Sequence, residues 1–114
     1  MNCECFYIVN DGTIEAARAM AKDIDSKAIK NEMELFPVCI SKVKKDFYAT
    51  SDVDNWGNRF IVRTGSWLVF VQGKLHNMCS IRPRGGKRGF PVIDSGIYEH
   101  FDRYVEDVEE LDLD

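Results

Sequence analysis

The chain is expected to fold as an α+β domain: a small, mostly antiparallel sheet arranged as a meander, with an N-terminal and a C-terminal helix packed on one face. Three observations predict this. Cys5 to Val9 and Trp67 to Val71 are aromatic and β-branched runs of strand length. Ile14, Ala17, Met20, Ala21 and Ile24 recur at the spacing of one helix face. Near the end, Ile97, Phe101, Tyr104, Val105 and Val108 repeat that spacing behind the capping pair Asp94-Ser95.

The elements follow in order. Cys5 to Val9 is a first strand. Asn10-Asp11-Gly12-Thr13 then supplies a turn and helix-capping residues. The first helix follows, and Ile29 and Met33, spaced i, i+4, extend it or form a second short helix. Leu35 to Val43 is extended, with Pro37 excluding a central ladder position, so an edge strand or a start at Val38 is expected. Asp46 to Thr50 is a short strand. Ser51 to Asn58 is a polar loop. Phe60 to Arg63, Trp67 to Val71 and Lys74 to Ser80 form the meander, with turns at Thr64-Gly65-Ser66 and Gln72-Gly73. Arg82 to Pro91 holds two prolines and three glycines besides its cations, and is expected to be loop. The acidic end, from about residue 106 to residue 114, is expected to fray from Glu109 onward.

A chain of 114 residues, 45% hydrophobic and 30% charged, has the size and composition of one globular domain, residues 1–114. No apolar run approaches the length needed to cross a bilayer, and the first residues lack the basic and apolar regions of a signal peptide. A cytoplasmic protein without a membrane partner is therefore expected, and its four cysteines, Cys3, Cys5, Cys39 and Cys79, are expected to be reduced. Cys39 and Cys79 sit in apolar runs, where cysteine acts as a small hydrophobe. No spacing of His and Cys suits zinc, so no metal and no cofactor are expected. Nothing in the residues sets the oligomeric state, although an exposed edge near Pro37 could pair with a second copy.

Gly65-Ser66-Trp67-Leu68-Val69, followed by Gly73 and then by Phe101 and Tyr104, resembles a group of small phage and prophage proteins that carry a PGDYG-type motif. Thr64 and Ser66 stand where that motif has proline and aspartate. The resemblance covers about half the chain. It implies a phage or prophage origin, hence the host cell cytoplasm, and a small accessory role, often the binding of a host protein. It implies no catalytic site.

The net charge is −4, but its distribution is uneven. Arg82, Arg84, Lys87 and Arg88 lie in a glycine-rich stretch without an acid, and the chain after Asp94 is dominated by acids. Glycines let a backbone approach a ligand, and guanidinium groups fork onto phosphates or carboxylates. These four cations, with Trp56 as an aromatic anchor, are the expected binding residues. The expected function is binding, with inhibition or modulation, of a bacterial host protein, including a defence component. The alternative is a nucleotide- or nucleic-acid-binding module using residues 82–90, although the acidic balance opposes general nucleic-acid affinity. The acidic segment Glu99 to Asp114 could also imitate a phosphate backbone and enter a basic groove of a host enzyme. Asp52, Asp54 and Asn55 lack the glycine and distal glutamate of a calcium loop. An enzyme is not expected. Its best candidates would be Cys79 with His100, since His76 and Cys79 on one strand would face opposite ways.

Overall fold

The first strand of the structure is flanked on both sides and buried on both faces, and the rest of the fold follows from it. The computed structural model describes residues 2–51, 58–74, 85–91 and 101–111, with the surroundings of their side chains apart from those of residues 2–4, 74, 91 and 101. β1 (Asn2–Val9) is apolar at successive positions, as a strand covered on both faces must be. Cys5, Tyr7 and Val9 enter one core cluster and Phe6 enters another. α1 (Ile14–Lys30) begins where the Thr13 hydroxyl accepts the Ala16 N–H at 3.1 Å. It buries Ala17, Met20, Ala21, Ile24 and Ala28 against the sheet. It stops at Asn31, whose side-chain amide donates to the Lys27 carbonyl at 2.8 Å. Ile29 falls off this face and is exposed.

Six further strands follow: β2 (Leu35–Val43), β3 (Phe47–Thr50), β4 (Phe60–Val62), β5 (Trp67–Lys74), β6 (Gly86–Pro91) and β7 (Val105–Glu110). A 3-10 turn, Phe101–Arg103, precedes β7. All the pairings are antiparallel, in the order β4-β3-β6-β1-β5-β2-β7.

This architecture overturns the two-helix meander. One helix is present among the described residues, not two. Val105 to Glu110, expected on a helix, is a strand paired to β2, and Glu109 and Glu110 are part of it rather than frayed. The Val105–Val108 spacing that mimics a helix face arises differently here. The register slips between Ile40 and Ser41, opposite Glu109 and Asp107, and leaves Val108 as the extra residue of a bulge. The expected meander is also absent. β4 pairs with β3, whereas β5 lies between β1 and β2, and Gln72-Gly73 is strand rather than turn. Gly73 is needed because a Cβ would strike the Glu34 carbonyl oxygen and come within 2.9 Å of Leu35 Cα. The second half of the expected loop, Gly86–Pro91, is β6, between β1 and β3. Pro91 sits at its last position, where no further ladder bond is required of it. Pro37, expected on an edge strand or ahead of a start at Val38, instead lies inside β2, which runs between β5 and β7. It faces Val71 of β5, next to a register slip, and beyond the reach of the paired residues of β7.

The link from β2 to β3 is only Lys44, Lys45 and Asp46, yet β5, β1 and β6 lie between those two strands. In a flat sheet the two would stand ~19 Å apart, which four Cα steps of ~3.8 Å cannot span. The sheet therefore curls. Its inner face closes on Phe6, Val43, Phe47, Ala49, Val62, Leu68, Phe70 and Val105. The Phe6 ring lies 5.8 Å from that of Phe47 and 5.6 Å from that of Phe70. Tyr104, next to β7, reaches the Phe47 ring at 6.1 Å, and its carbonyl accepts the Lys44 N–H at 2.7 Å. The outer face of β1, β2 and β5 is covered by α1. Arg18 of α1 ties down β7 by donating from Nε and Nη2 to the Glu109 carboxylate, at 3.1 and 2.9 Å.

Gly89 permits the curl. It pairs with Phe6, and a Cβ there would lie 2.6 Å from Phe6 Cε2 and 3.0 Å from Cζ. The Phe6 ring is fully buried and cannot retreat into solvent. Gly89→Ala is expected to destabilise the fold by about 1–3 kcal/mol through overpacking. Gly12→Ala, where a Cβ meets nothing within 4 Å, is expected to stay within about 0.5 kcal/mol of wild type. Urea unfolding of both variants measures the difference.

Candidate functional site

Among the described residues, β3 and β4 carry a pair of facing large apolar side chains left uncovered. Phe47, Ala49 and Val62 turn into the inner core, so alternation sends Tyr48 and Ile61 outward. The two are register partners, 45% and 40% exposed. α1 packs on β1, β2 and β5 and stops short of them. The Arg59 guanidinium sits 5.2 Å from the centre of the Tyr48 ring. Arg63, two residues beyond Ile61 and on the same side, is largely exposed, with Asp46 at 3.8 Å. An exposed aromatic and aliphatic pair bracketed by arginines has the composition of a protein-binding hot spot.

The hairpin is held at both ends. At its open end, the Asp46 carboxylate accepts from the Thr64 hydroxyl and backbone N–H, each at 2.7 Å. At its other end, Arg88 Nη2 donates to the Ser51 carbonyl at 2.8 Å, and Lys87 Nζ lies 3.6 Å from the centre of the Phe60 ring. The Arg88 guanidinium also stands 5.5 Å from the Phe90 ring.

Of the expected binding residues, Lys87 and Arg88 are thus neighbours on β6 with side chains on opposite faces of the sheet. They do not form one basic patch. They hold the two flanks, Ser51 and Phe60, of the segment that contains Trp56. Trp56, Arg82 and Arg84 lie outside the described residues, as do Asp52, Asp54, Asn55, His76, Cys79 and His100. Tyr48, Ile61 and Arg59 were not anticipated. The alternation in Asp46 to Thr50 and in Arg59 to Arg63 carries the signal, but only once the two segments are known to pair.

A second feature lies under β7. Among the described residues, Val38, Cys39, Phe70, Val105 and Leu111 floor a groove of about 720 Å³, with Asp102, Asp107 and Glu110 as the carboxylates on its side of the sheet and Lys44 as its base. Asp107 is fixed there, accepting from the buried Ser41 hydroxyl at 2.7 Å and from the Cys39 thiol at 3.6 Å. Cys39 is therefore half-buried and hydrogen-bonded rather than a plain core hydrophobe. Neither it nor Cys5 is in a disulfide. Among the described residues no group of three or more His, Cys, Asp or Glu side chains could hold a metal ion, and no helix is long and apolar enough to cross a membrane.

Compared with protein-family models, curated proteins and solved structures, the chain matches none.

The Thr64 hydroxyl and then its N–H hold the Asp46 carboxyl below its ordinary value of 3.8, and Arg63 adds to this. Because the folded value is depressed, the stabilisation from this contact is present above 3.8 and is lost as pH falls through the lower, folded value. The Thr64 amide resonance, followed by NMR from neutral pH downward, is expected to titrate with a midpoint below 3.8. In Asp46→Asn that titration is expected to vanish while the hairpin persists, since an amide oxygen still accepts.

Proposed function

We propose that this chain is a small, phage-derived accessory protein that docks on a bacterial host protein and inhibits or modulates it, a defence component being the concrete case. The outer face of the β3–β4 hairpin is the docking surface. The observation that carries this reading is the exposed Tyr48–Ile61 pair between Arg59 and Arg63. Tyr and Arg supply large contact area and forked hydrogen bonds at little entropic cost, and isolated pairs of this kind commonly dominate binding energy. The partner surface that fits is an apolar pocket with acidic residues around it. Residues Arg82, Arg84 and Trp56 belong to segments adjoining β6 and the hairpin, which supports their taking part. Lys87 and Arg88 act as positioning residues that hold the hairpin ends. The turn and strand at Gly65 to Val69, which resemble those of small phage proteins, support the origin.

The experiment is capture from bacterial lysate with the intact protein as bait. Tyr48→Ala combined with Ile61→Asp is expected to lose a specific host protein that wild type retains, with the thermal unfolding curve unchanged. Arg82→Glu with Arg84→Glu is expected to weaken retention without unfolding the chain. Lys87→Glu with Arg88→Glu is expected to lower the melting temperature as well, because both side chains brace the hairpin. Full retention by the Tyr48/Ile61 variant overturns the surface. Retention of nucleic acid in place of protein, lost steeply with salt, would favour the phosphate-binding alternative instead.

A further inference from the structure

The hairpin face leaves the groove under β7 without a role, and its chemistry is of the opposite sign. Its floor is apolar: Val38 and Cys39 from β2, Phe70 from β5, Val105 and Leu111 from β7 and its end. Among the described residues its side of the sheet carries three carboxylates, Asp102, Asp107 and Glu110, against the Lys44 ammonium group, and Glu106, paired with Lys42, points to the other face. Glu110 and Asp102 are exposed, so their charge is presented to solvent. The Asp107 carboxylate is held in place by Ser41. The apolar surface continues along β2. Phe36 pairs with Gln72, on the same face as Phe70, and is 52% exposed. β7 is the outermost strand on this side among the described residues.

A carboxylate rim over an apolar floor matches one kind of side chain. Lysine and arginine carry a methylene stem that packs on apolar surface and a cation at its end. A row of such side chains on an extended segment would lay its stems on Val38, Phe70 and Leu111 and bring its charges to Asp102 and Glu110. A hydrophobic helix would leave the carboxylates facing apolar groups, and an acidic partner would be repelled. We propose that this groove binds an extended, lysine- or arginine-rich peptide segment of a partner. The surface is distinct from the hairpin face and does not depend on the proposed function.

The test uses the whole chain and a capped, fluorescein-labelled octalysine, read by fluorescence polarisation. Wild type is expected to bind it saturably. Asp102→Lys with Glu110→Lys is expected to weaken binding by about tenfold or more, since two attractions become two repulsions. Asp11→Lys with Glu32→Lys makes the same change in net charge away from the groove and is expected to leave binding within about twofold, because solvated charges that distant are screened. Equal weakening by the two double variants, or no saturable binding by wild type, overturns the proposal. If circular dichroism shows that the Asp102/Glu110 variant is unfolded, Glu110→Gln serves in its place. It is expected to weaken binding about threefold, and unchanged affinity in it overturns the proposal equally.

Discussion

Three residues join β2 to β3, and that short span compels the curl of the whole sheet. Once β3 must lie close to the end of β2, the strands between them wrap around a common interior. The residues at the centre of that wrap are the Phe6, Phe47 and Phe70 rings, which meet edge-on or tilted rather than stacked. Such contacts contribute about 0.5–1.5 kcal/mol each beyond the area they bury. Gly89 makes the geometry possible by leaving room for Phe6 above the backbone of β6. The Lys44 N–H bond to the Tyr104 carbonyl then brings the start of β7 against the same link, so one short connection organises both ends of the sheet.

The curl also decides which surfaces remain available. α1 is long enough to cover β1, β5 and β2 on the outside, and its apolar face of Ala17, Met20, Ala21, Ile24 and Ala28 is spent there. The β3–β4 hairpin turns away from the helix, so its outward residues stay exposed. On the inner side, the core closes around Phe47 but leaves the groove under β7 open among the described residues. The two surfaces differ in sign. Arginines border the hairpin face, and carboxylates border the groove. A chain with a net charge of only −4 thereby presents two separate fields of opposite sign.

Much of the local structure was legible from residue order. The first strand, the Thr13 cap and the helix from Ile14 follow from periodicity and capping chemistry. Where reading failed, long-range pairing overrode a local preference. Val105 and Val108 are spaced as on a helix, yet pairing with β2 makes Val105 a buried strand residue and Val108 a bulge. Gly86 to Pro91 has the composition of a loop, yet β1 and β3 supply ladder partners on both sides. Lys87 and Arg88 looked like two members of one basic patch. On a strand, adjacent side chains must diverge, so one braces Phe60 and the other Ser51.

The sequence by itself determined the antiparallel character of the strands, the first helix with its cap, and the separation of basic from acidic segments along the chain. Those depend on interactions within a few residues, or on composition alone. Only the tertiary structure decided the strand order, the strand at the C-terminal end, and the exposure of Tyr48 and Ile61. Each of these depends on contacts between residues far apart in the chain, such as Phe6 with Gly89 or Ser41 with Asp107. No local pattern encodes such contacts, because the same alternation of apolar and polar residues serves equally well beside any strand that presents a matching face.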